Sequence, residues 1–207
     1  MPGWQHFYEN IPADANFKLI SIACEHGGGE NARPYVEAAK TTFPTAIDES
    51  GITAITFGFK VVPNGLLVDA DGIIRYAKYG GFEIGHAEDV AAVTRFAVGA
   101  DPGPSPASDL PYELSGLELE LVATHLRLAR VFDSLGRVDE AVAEWQAALR
   151  IDPKNFVVRK QIWAARHPEK FHPTIDFAWQ AVQLAREKEA ELAAGICGPD
   201  GCPLPRG

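Results

Sequence analysis

The stretch Phe57 to Tyr76, FGFKVVPNGLLVDADGIIRY, constrains this chain more than any other. A proline opens an apolar run, Gly65-Leu66-Leu67-Val68-Asp69. An Asp71-Gly72 pair then turns the chain, and Ile73-Ile74-Arg75-Tyr76 runs back. Asp-Gly supplies the positive φ that a tight turn needs, so the pattern predicts a β-hairpin. Val62-Pro63 sits just ahead of the first strand. Proline has no N–H to give a ladder, so a strand's first residue suits it, and X-Pro is the one bond at which a cis peptide costs little.

Elements can be read on both sides of this hairpin. Trp4 to Asn10 predicts a short amphipathic helix, ended by Ile11-Pro12. Phe17 to Cys24 (FKLISIAC) is β-branched and apolar at strand length, which predicts a strand buried on both faces. Gly27-Gly28-Gly29 reads as a loop, and Glu30 to Thr42 as a helix with Pro34 in its first turn. Phe43 to Asp48 (FPTAID) leads into an irregular connection and then the hairpin. Glu88 to Val98 predicts a helix with Val90, Val93, Phe96 and Ala97 on one side.

The order strand, helix, proline step, hairpin, helix resembles the second half of a thioredoxin-like domain of the TlpA/ResA redoxin type. Val62-Pro63-Asn64, Leu66-Leu67-Val68-Asp69 and Asp71-Gly72-Ile73-Ile74 carry the likeness, with Asn64 where threonine is usual. The resemblance implies a cis proline at Pro63 and a loop, Val62 and Pro63, whose backbone holds substrate beside redox cysteines. It also implies a Trp-Cys-x-x-Cys segment on a central strand, and this sequence contains no Cys-x-x-Cys. Met1-Pro2 aligns with a step that follows that segment in the family. The expectation is therefore that Met1 is an internal methionine, with the redox site upstream, one route being a selenocysteine codon read as a stop. In that case the Phe17–Cys24 and Leu66–Asp69 strands flank a gap and do not pair directly. A start-site error or genuine loss of the site are the alternatives.

Gly99 to Pro111, GADPGPSPASDLP, has the composition of an inter-domain linker. It divides the chain into a domain over 1–99, a linker over 100–112 and a helical domain over 113–194, with a tail over 195–207. Residues 122–155 resemble one tetratricopeptide repeat. Leu128, Ala129 and Phe132 stand on its first helix, Gly136 at the turn, Ala141, Trp145 and Ala148 on the second helix, and Pro153 at the close. Small residues let two antiparallel helices approach, but one such unit cannot bury its own faces. Helices over 156–166 and 176–192 are expected to supply neighbours, with Trp163, Phe171, Phe177 and Trp179 in the core. The fold expected is an incomplete α/β thioredoxin-like domain followed by an all-α, tetratricopeptide-like one.

Composition removes several functions. A net charge of −9 without any basic run argues against nucleic-acid binding. No apolar stretch is long enough to span a bilayer. Three cysteines do not build a disulfide scaffold. Cys197 and Cys202, separated by Gly-Pro-Asp-Gly, form a local pair whose turn residues allow a disulfide, and they are the candidate redox pair. As metal ligands the two lack partners, so no metal and no cofactor is expected. Cys24 is a weaker candidate, with His26 two residues on; a small buried residue beside a loop histidine explains both. The glycine loop lacks the lysine and spacing of a phosphate loop. Turn chemistry accounts for Asp69 and Asp71.

The resemblance implies a thiol–disulfide oxidoreductase or peroxide-type redoxin, acting on a protein thiol, disulfide or peroxide. This chain is then its remainder, with the family nucleophile outside it, and is expected to be inactive as given. The rival is a non-catalytic adaptor that holds an extended peptide at Pro63 and a protein partner on its helical domain. Periplasmic and cytoplasmic locations both stay open.

Overall fold

A computed structural model describes residues 2–12, 15–24, 28–48, 52–106 and 114–194. The chain divides into two units between Asp109 and Leu110, inside the Pro/Gly-rich stretch. The described part of that stretch lies against the first unit: Arg95 Nε donates to Asp101 O (3.2 Å), and Ala77 N donates to Ser105 Oγ (2.9 Å).

The first unit mixes helix and strand. In chain order it contains α1 (Pro2–Glu9), β1 (Ser21–Ala23), α2 (Gly29–Ala39), β2 (Thr45–Ile47), α3 (Ile52–Phe57), β3 (Gly65–Val68), β4 (Ile74–Lys78) and α4 (Ala87–Ala97). The strands form two separate pairs. β1 lies parallel to β2 with Ile22 opposite Ala46, and the Ser21 and Thr45 hydroxyls bond across the pair at 2.7 Å. β3 lies antiparallel to β4 with Leu67 opposite Tyr76 and an irregularity between Leu67 and Val68. Among the described residues β1 and β3 do not pair with each other.

The hairpin turn is built by Asp69. Its carboxylate accepts from Asp71 N (3.0 Å) and Ile73 N (2.9 Å), and Gly72 takes the positive φ of 80°. Those backbone bonds, with Arg75 beside them, hold the Asp69 carboxyl below its ordinary pKa. Leu67 and Tyr76 face Ala92 and Val93 of α4, with Trp4, Phe7, Phe17, Phe82 and Phe96 packed around them. α1 reaches in two directions. Trp4 stacks on Phe82 at 5.1 Å, while buried Gln5 exchanges two hydrogen bonds with Thr42 and Tyr8 meets Phe43 edge-on. β4 is tied to α4 by Lys78, which donates to both oxygens of the fully buried Asp89 at 2.8 and 2.9 Å. That bond raises the Lys78 pKa.

Several sequence expectations differ from this unit. The 17–24 run forms only a three-residue strand, and it is not buried on both faces, because Ile20 and Ile22 are exposed. The 43–48 stretch contains a strand. α3, absent from the sequence reading, forms because Asp48 accepts from Ile52 N (2.8 Å) and Thr53 N (2.9 Å) at its start. Pro34 lies inside α2 and not in its first turn, since the helix begins earlier, at Gly29.

The second unit is helical: α5 (Gly116–Ser134), α6 (Val138–Ile151), α7 (Phe156–Arg166), a 3₁₀ turn at Pro168–Lys170, and α8 (Phe177–Ala193). A capping box starts α5, with Glu118 N donating to Ser115 Oγ and Ser115 N to the Glu118 carboxylate. Gly136, at φ 72°, turns the chain into α6. Val122, Ala123, Leu126 and Ala129 on α5, and Ala141, Val142, Trp145 and Ala148 on α6, are buried. Small side chains let the two helices approach closely around the tryptophan. Buried Asn155 caps α7 through Val158 N (3.1 Å) and donates to Asp152 (3.0 Å).

α8 is held to α7 by Arg159 and by an aromatic cluster. The Arg159 side chain, 6% exposed, bonds to Glu187, to Glu191 at 2.8 Å and to Pro153 O at 3.2 Å. Burial opposes its charge, and the two glutamates outweigh that cost and raise its pKa. Trp163 packs edge-on against Phe156 and Trp179, and its Nε1 donates to Glu187. Phe177, expected in the core, is exposed; as the first residue of α8 it points away, and Trp179 fills the cluster instead. Leu128, expected at a packing position, is exposed as well.

Candidate functional site

The Val62–Pro63 loop begins where α3 ends, at Phe57, and leads into β3. Its peptide bond is cis. Asn64 fixes the loop's shape: its amide donates to Val61 O at 2.7 Å, and its carbonyl accepts from Gly80 N at 2.8 Å. Phe82 N donates to Pro63 O at 3.2 Å. The segment after β4 thus clamps the segment before β3. Two glycines allow this approach. A Cβ at Gly65 would lie 2.5 Å from the Phe82 ring, and one at Gly80 would lie 2.7 Å from Val61 on a backbone of φ 79°.

Val62 stands out at the crest, 40% exposed. No described residue hydrogen-bonds to its N–H or its C=O. The segments on either side of the hairpin carry aromatic rings: Phe57 meets Phe59 at 5.4 Å and Phe59 meets Tyr79 at 5.7 Å, with Tyr79 exposed. An exposed residue whose main-chain donor and acceptor are unused, in a loop that also carries apolar rings, can take an extended polypeptide: the backbone pairs and the rings receive side chains. In the sequence Asn64 is marked only as standing where threonine is usual, with no clamping role; Phe57, Phe59 and Tyr79 are scattered along the sequence, and only the fold brings their rings together.

Cys24 follows β1 and is half-buried. Its sulfur lies 3.6 Å from Thr53 Oγ1. The Thr53 hydroxyl spends its own hydrogen on Asp48, so it receives the Cys24 S–H, and the thiol is held as a donor. His26, suggested as its partner, lies outside the described residues, as does Gly27. Gly28 ends its loop with φ 68° and its carbonyl accepts from Ala32 N. The candidate redox pair Cys197 and Cys202, with the whole 195–207 tail, also lies outside the described residues. Among those residues no cluster of His, Cys, Asp and Glu could hold a metal ion. No helix among them is long and apolar enough to cross a membrane.

No protein-family model, curated protein or solved structure matches the chain.

Proposed function

We propose that the chain is a redoxin-like thiol–disulfide oxidoreductase that receives an extended polypeptide at the Val62–Pro63 loop. The observation that carries the proposal is exposed Val62, whose main chain has no hydrogen-bond partner among the described residues, in a loop braced by Asn64. The residue pattern of the hairpin supports the same reading. Cys197 and Cys202 are the candidate thiols. A thiolate attacks a substrate disulfide, forms a mixed disulfide and releases one substrate thiol; the second thiolate then displaces the other, leaving the pair oxidised. An external dithiol supplies the two electrons that reset it.

The test is insulin reduction with dithiothreitol. The proposal expects turnover above the dithiothreitol background, abolished by Cys197→Ser or Cys202→Ser. A rate equal to that background contradicts it. One observation favours the non-catalytic adaptor as a second reading: the one described thiol, Cys24, is engaged as a donor to Thr53. The adaptor expects no turnover and retained binding of an extended peptide.

A further inference from the structure

α5 carries apolar residues on two opposite sides. One stripe, Val122, Ala123, Leu126 and Ala129, is buried. Leu117, Leu121, Leu128, Val131 and Leu135 form another, with Thr124 in the one polar position, and all of these are exposed, from 41% at Leu128 to 70% at Leu117. At about 100° per residue the two stripes centre on opposite sides of the helix. An amphipathic helix has no reason to carry the second stripe unless something covers it.

The spacing identifies the cover. The exposed positions recur at intervals of four, three, four, three and four residues, the 3.5-residue repeat of a seam that packs against another helix. The series reads identically in both directions, so an antiparallel second copy meets it in register, which a two-fold contact between identical chains can use. Glu118, Glu120 and Arg127 flank it with both signs of charge. The apolar stripe exposes on the order of 500 Å² per copy, and a pair would bury about 1,000 Å², the lower bound for a specific interface.

We propose that the chain self-associates as a dimer through the α5 seam, the occupant being α5 of a second copy. The inference does not depend on the redox reading. The test is sedimentation of the full chain under reducing conditions, at concentrations up to about 100 µM. The dimer predicts a species of twice the 22.4 kDa chain mass. Leu121→Glu with Leu128→Glu should give a monomer of unchanged far-UV circular dichroism, while Val182→Glu, at an exposed site on α8, should stay dimeric. Thr124→Leu, which completes the seam, should tighten association about tenfold. A wild-type chain that stays monomeric over the range overturns the proposal and points to a different occupant. So does a folded double variant that remains dimeric. If the double variant does not fold, a Thr124→Leu chain with unaltered association decides against the seam.

Discussion

Asn64 sets the geometry of the loop with a single side chain, spanning Val61 ahead of the first hairpin strand and Gly80 beyond the second. Asn64→Ala removes both bonds and leaves the global fold to the hydrophobic cluster around Leu67 and Tyr76. The expected outcome is at least a tenfold loss of extended-peptide affinity in a calorimetric titration, with a small change in melting temperature. Gly80→Ala acts differently, because it forces a side chain onto a positive φ and into Val61. It should cost about 1–3 kcal/mol of stability in urea denaturation. Asp89 is the other decisive residue, buried and shared by Lys78 and by Glu83 N. Asp89→Ala leaves the Lys78 ammonium with only Glu88, at 3.8 Å, and the Glu83 N–H without its acceptor, and breaking the buried pair should cost about 3 kcal/mol.

At the scale of elements, α8 depends on Arg159 alongside the apolar contact of Trp179 and Leu184 with the Trp163 cluster, and Gln180 is its one buried residue. Arg159→Ala should release α8, seen as a loss of helical circular dichroism at lower urea. Arg159→Met should cost less than Arg159→Ala, because it keeps the stem's packing while Glu187 and Glu191 can reach water. The sequence showed some elements and hid others for physical reasons. The hairpin was legible because Asp-Gly chemistry is local, and α7 because its 156–166 range lies between the Asn155 cap and a proline. α3 was hidden: Ile52, Thr53, Ile55 and Thr56 are poor helix formers, and the helix exists because Asp48 satisfies its first amides. β2 has three residues, too few for a period to show. Arg159 reads as a solvated helix residue until Glu187 and Glu191, far along the chain, are brought beside it. The candidate loop was visible through Val62-Pro63, but the clamp and the ring contacts depend on residues that only tertiary structure unites.

Over the whole molecule, carboxylates in both units titrate below their usual range. Asp69 is lowered first by the Ile73 backbone bond, Glu118 by Ser115, Glu140 by Arg137, and Asp176 by the Trp179 amide that it caps. A lowered folded-state pKa means that the unfolded chain binds more protons as pH falls past the ordinary carboxylate value, so stability is present above about pH 4 and lost below it. Melting curves should therefore fall steeply under about pH 4, and Asp176→Asn, which keeps a cap but no charge, should flatten that limb for the helical unit. Lys78 behaves with the opposite sign: its raised pKa stabilises below its ordinary range, and the contribution is lost only as strongly alkaline pH passes the folded value.

The claim on which the functional reading rests is that Val62 receives an extended chain. Amide NMR of the full protein, titrated with the reduced insulin B chain, tests it most directly. The account predicts the largest shifts at Val62, Asn64 and Tyr79, and loss of binding in Val62→Pro, which removes the free N–H. Saturable binding with shifts confined to other parts of the chain, or undiminished affinity in a folded Val62→Pro variant, would contradict it.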